Sequence, residues 1–142
     1  MKKLLAVSLA LALVFSACTA TAATKAVNLM EFARRYYHAM DIIGAETNEP
    51  LIDYEPSVKL DYNTIYYNEA GDVTGVFLYV PHDDKNKADS ASAILIALST
   101  PYEEIDRNSF SSEIISNQEC GDYKVTLETN TDSGMTLILR LK

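Results

Sequence analysis

Between Tyr123 and Leu141 the chain alternates apolar and polar residues with little interruption. Tyr123, Val125 and Leu127 alternate with Lys124, Thr126 and Glu128, and Met135, Leu137, Leu139 and Leu141 alternate with Thr136 and Arg140. A period of two sends one set of side chains to one face of a strand and the other set to the opposite face. Asn130 to Gly134 (NTDSG) is made of residues that favour turns. The segment therefore reads as an antiparallel hairpin with one greasy face, and that face demands a covering layer.

The first candidate cover is Asn28 to Gly44. Leu29, Phe32, Tyr36, Met40 and Ile43 recur at three and four, which is one stripe of a helix. Arg34, Arg35, His38 and Asp41 fall largely away from it. Asn28 can cap, Glu31 stands at the capping-box spacing, and Gly44 suits the stop.

Ala45 to Ser57 holds Pro50 and Pro56 among Glu46, Glu49, Asp53 and Glu55, and reads as a loop. Val58 to Pro81 is expected to be a hairpin that turns at Glu69–Asp72. Its return strand, Val73 to Val80, sets Val76, Leu78 and Val80 on one face and Phe77 and Tyr79 on the other. Apolar residues on both faces imply a strand covered twice, or one whose second face meets a partner. His82 to Ala88 reads as a charged connection. Asp89 or Ser90 is then expected to cap a short helix over Ala91–Ser99. Thr100-Pro101-Tyr102-Glu103 opens another short helix, to about Arg107. Ser109 to Asn117 is ambiguous between helix and loop.

The order αββ-α(α)-ββ predicts an α+β domain over residues 28–142. Its antiparallel sheet has at least four strands, in two hairpins, with helices on one face.

The chain opens with Lys2 and Lys3, followed by the apolar run Leu4–Phe15. That run is shorter than the roughly 20 residues needed to span a bilayer. A basic start, a short greasy stretch and then small residues make a secretory leader over 1–22. Phe15-Ser16-Ala17-Cys18 resembles the lipobox of bacterial lipoproteins, with Phe15 where Leu is commonest. The resemblance implies cleavage before Cys18, lipidation of that Cys, and a membrane anchor. The alternative is Ala20-Thr21-Ala22, with cleavage before Ala23 and plain secretion. Residues 23–27 then form a tether. The expected location is the cell envelope, the periplasm or the exterior.

The chain carries 12 basic and 20 acidic residues for a net charge of −8. Loss of Lys2 and Lys3 with the leader takes it to −10. Such a balance repels nucleic acid and anionic lipid heads, so neither is an expected partner; any membrane contact would run through Cys18. With hydrophobic residues at 48 %, the body can build a core and is not disordered. Only Cys18 and Cys120 are present, so a processed chain has no disulfide framework.

No motif identifies a reaction, and neither metal nor cofactor is implied. His82, Asp83 and Asp84 adjoin one another in a connection, but adjacent residues seldom converge on one ion. Cys120 with His38 or His82 could make a nucleophile and base. However, Glu119 and Asp122 beside Cys120 oppose a thiolate. The paired carboxylates Glu103/Glu104 and Asp83/Asp84 are unremarkable in so acidic a chain. The stronger functional feature is aromatic. Tyr62, Tyr66, Tyr67 and Tyr79 lie on or beside the first hairpin, with Tyr54 just before it. Tyr is rigid, broad and amphipathic, and so suits interfaces. The leading expectation is a non-enzymatic binding domain for a protein or peptide, framed by carboxylates of the Ala45–Ser57 loop and suited to a basic or polar partner. The alternatives are a small hydrolase or metal-dependent enzyme using His82, Asp83, Asp84 or Cys120, and a carrier of a small ligand held between sheet and helices.

Overall fold

Asn28 starts the first helix as its side chain requires: Oδ1 accepts from the Met30 amide at 3.0 Å. In the computed structural model, which describes residues 25–45, 52–53, 55–60, 62–110 and 119–142, this helix, α1, spans Leu29–Ile42. The expected stripe is its buried side, with Phe32, Tyr36, Ala39 and Met40 inside. Gly44 lies past the end with φ +68°, a conformation that only glycine adopts without strain. The capping box does not form. Glu31 instead accepts from Arg34 Nε and Arg35 Nε, each at 2.8 Å, because two guanidinium groups within one turn outbid a single backbone amide.

Among the described residues the sheet has seven antiparallel strands. They are β1 (Ile52–Asp53), β2 (Ser57–Leu60), β3 (Asn63–Tyr67), β4 (Val73–Pro81), β5 (Glu119–Cys120), β6 (Tyr123–Asn130) and β7 (Gly134–Leu141). Their spatial order is β1-β2-β3-β4-β7-β6-β5. Two meanders therefore meet where β4 pairs with β7, from Gly75 opposite Arg140 to Pro81 opposite Gly134. The α+β expectation holds, with helices over one face and the second hairpin within a residue of its forecast bounds.

Several expectations are corrected. The first hairpin is a meander: the run Val58–Tyr67 folds back on itself, with Leu60 opposite Asn63. Asn63 closes that turn and is buried, its Oδ1 accepting from the Tyr79 amide at 2.8 Å. The Ala45–Ser57 loop contains β1, which pairs with Val58 and Lys59. The second long helix, α2, spans Lys85–Ser99, so most of the charged connection is helical. Asp84 caps it, accepting from the Lys87 amide at 3.2 Å. After α2, two 3-10 turns follow, Tyr102–Glu104 and Arg107–Phe110.

Residues 91 and 93–98 of α2 are all buried, because α1, the sheet and the β5 strand surround it. Gly121 shows how close that packing is. It sits in the β5–β6 turn at φ +57°, and a Cβ there would lie 2.8 Å from the Leu98 carbonyl oxygen. The segment expected as a tether is docked from Lys25 onward. Lys25 N donates to the Asp122 carboxylate at 3.0 Å, and Val27 N donates to the Tyr123 hydroxyl at 3.0 Å. That hydroxyl, buried, donates in turn to Val73 O at 2.8 Å. One phenol thus joins the N-terminal segment, β4 and β6. Among the described residues no helix is long and apolar enough to cross a membrane.

Candidate functional site

Alternation decides which side chains reach the helices. Ile65, Val76, Leu78, Leu137, Leu139 and Val125 point toward them and join one core with Phe32, Tyr36 and the apolar residues of α2. Their neighbours in sequence point the other way, to a face that no described element covers. Across that face the register gives one row of Ser57, Tyr66, Gly75, Arg140 and Lys124. A second row holds Lys59, Thr64, Phe77, Ile138 and Thr126. Tyr79 and Thr136 begin a third, with Tyr62 at its rim in the β2–β3 turn.

The aromatic side chains here are exposed: Tyr62 by 59 %, Tyr66 by 46 % and Phe77 by 38 %. Tyr62 and Tyr79 meet edge to face with centroids 6.1 Å apart, and the Lys87 ammonium lies 4.0 Å from the Tyr62 ring centre. Two shallow hollows flank Phe77. One, of about 520 Å³, lies over Gly75 between Tyr66, Ile138 and Arg140. The other, of about 530 Å³, is lined by Tyr62, Tyr79, Asp83, Asp84 and Lys87. Both lie on this open face, not between sheet and helices.

The structure thus brings Tyr62, Tyr66 and Tyr79 together and sends Tyr67 elsewhere. One residue beyond Tyr66, it points to the helix side and packs against the core. Tyr54 and Cys18 lie outside the described residues, as do 46–51 of the loop expected to supply carboxylates. The tyrosine pattern alone missed Gly75, Ile138, Arg140 and Lys124. The parity of each strand would have found them: Thr136, Ile138 and Arg140 share the face that Leu137 and Leu139 avoid.

The residues considered for catalysis are not gathered. Cys120 is buried, its thiol donating to the Leu95 carbonyl at 3.2 Å, and burial pushes its pKa up to about 11. It is held as a thiol, the unreactive form. His82 Nε2 stands 3.3 Å from Asn130 Oδ1 at the far end of β6 from Tyr123, which pairs with Cys120. The length of β6 separates the two sites by roughly 20 Å. His38 stacks on Tyr102 at 4.3 Å between ring centres, beside Arg34. Asp84 is occupied as the α2 cap, and Glu103 and Glu104 stand exposed on a 3-10 turn. Among the described residues no group of three or more His, Cys, Asp or Glu could hold a metal ion. The open face offers flat rings for apolar contact and, on Arg140, a planar fork of donors.

No protein-family model matches the chain, and neither a curated protein nor a solved structure is significantly similar to it.

Proposed function

We propose that this chain is an exported binding domain, anchored through a lipid on Cys18, which docks a protein or peptide on the open face of its sheet and catalyses no reaction. The observation that carries the reading is the exposure of Tyr62, Tyr66 and Phe77 on one uncovered sheet face. Large aromatic side chains gathered on a rigid surface are the usual anchors of a protein interface. The leader residues 1–22, with Cys18 in a lipobox-like context, support the address.

The test places a photo-crosslinking phenylalanine analogue at Phe77 in the full chain, in cells that export it. The control position is Met30, 83 % exposed on α1 and remote from the open face. The expected result is a discrete adduct from position 77 and none from position 30. Equal adducts from both, or none from either, overturn the binding role. Mass spectrometry of the mature N-terminus tests the address. An acylated Cys18 is expected; a free Ala23 replaces the anchor with secretion, and an intact leader removes export.

A further inference from the structure

Lys124 and Arg140 are directly opposite each other on β6 and β7, on the open face. Like charges in that relation repel and destabilise a sheet. Neither makes an ion pair with any described residue. This is unexpected in a chain with 20 acidic and 12 basic residues, where a carboxylate neighbour is the cheapest arrangement. Glu119 stands directly opposite Lys124 on β5, but its carboxylate is paired with Lys142 at 2.8 Å. Beside Arg140 the row continues to Gly75, which has no side chain, and then to Tyr66. Strands lie about 4.8 Å apart, so Tyr66 and Arg140 stand about 10 Å apart across the gap. One flat or branched side chain fits between them, on the floor made by Gly75. A Cβ on that floor would lie 3.0 Å from the Leu139 carbonyl oxygen, so the hollow is kept by glycine.

Resting on the binding role proposed above, we infer that the partner segment is acidic. It seats a carboxylate on Arg140 and Lys124 and an apolar side chain in the hollow between Tyr66 and Arg140. The anionic group relieves the repulsion that the free sheet carries, and its complementarity sets the orientation of the segment. This reverses the basic partner expected from the loop carboxylates. The charged residue that lines the Gly75 hollow is the cation Arg140, with Lys124 opposite it, whereas the other hollow, beyond Phe77, is lined by Asp83 and Asp84 together with Lys87.

The experiment titrates the isotope-labelled chain with two synthetic peptides. One has a Phe-Glu-Phe-Asp core in a Gly/Ser frame; the other has Lys in place of both acids. Backbone amide shifts report the site. The acidic peptide is expected to move the amides around Tyr66, Gly75 and Arg140, and to bind more weakly as salt rises. The double change Lys124→Glu, Arg140→Glu is expected to weaken it about tenfold or more. Lys124→Gln with Arg140→Gln serves as the second variant if the reversal disturbs folding, and is expected to act in the same direction. Equal binding of the lysine peptide at the same amides overturns the acidic preference and leaves the docking face standing. Undiminished binding by folded charge variants does the same. Silence from both peptides overturns the inference; if position 77 also yields no crosslink, the binding role falls with it. Self-association of the chain through this face, abolished by the charge variants, would assign the surface to a second copy instead.

Discussion

The two faces of the sheet are built from the same strands and differ in what crosses them. On one side Ile65, Val76, Leu78, Leu137 and Leu139 are almost wholly buried beneath α1 and α2. On the other, Tyr66, Phe77 and Ile138 come from positions one step along those strands. Side-chain type does not separate the faces, since both carry large apolar groups. The path of the chain does: both long helices pack on the same side, and the strands, apolar on both sides, are left half covered. An apolar residue on the covered side stabilises the fold, whereas one on the open side contributes little to it. The largest expected effect follows from this contrast. Leu78→Ala should destabilise the domain by about 2–5 kcal/mol through the cavity it leaves. Phe77→Ser, one residue away, should cost about 1 kcal/mol or less in denaturant unfolding. If the two proved equally damaging, the open face would be part of a core and the contrast would fail.

A smaller effect sharpens the same comparison from beneath the sheet. The Tyr123 hydroxyl lies on the covered side and links Val27, Val73 and β6. Tyr123→Phe leaves the buried Val27 amide without its acceptor, for an expected loss of about 1–3 kcal/mol. Hydrogen exchange at Val27 should quicken, while peptide binding on the open face stays unchanged. A loss of binding without a loss of stability would mean the two sides are coupled.

How legible this was depended on the kind of packing. The α1 helix and the β6–β7 hairpin each have one wet side and one dry side, so periodicity marked them. The α2 helix has no such contrast: seven of its residues are buried in near-continuous sequence, and its first turn is polar. Periodicity therefore found only the apolar half, although Asp84 was available as a cap. The β2–β3 turn was hidden because Asp61-Tyr62 is not a strong turn pair. What holds it is a hydrogen bond from the Tyr79 amide to the Asn63 side chain, distant in sequence. The open face was legible in part. Alternation puts Phe77 and Tyr79 on the correct side, but proximity in sequence does not separate Tyr67 from Tyr66, and a pattern of tyrosines carries no sign of the facing cations Lys124 and Arg140.

Titration gives the smallest effects, one on each side of neutrality. Burial pushes the Cys120 thiol from 9.0 up to about 11. Above pH 9 the unfolded chain releases that proton first, so stability should fall between pH 9 and about 11; below 9 the group is neutral in both states. Cys120→Ala should remove this share of the alkaline slope. Tyr123, also raised by burial, adds its own share above pH 10 and keeps some slope in that variant. On the acid side, hydrogen bonds from Arg34 and Arg35 hold the Glu31 carboxyl at about 2, down from 4.5. Its contribution is present above pH 4.5 and is lost as pH falls toward about 2. Glu31→Gln should flatten that limb only slightly, since the cluster stands at the surface where water screens it. Glu31 sits on α1, away from the open sheet face, so the same variant should bind the acidic peptide unchanged. Weakened binding in Glu31→Gln would mean that the carboxylate acts on the face at a distance, and that the local pairing of Lys124 and Arg140 is not what selects the acidic peptide.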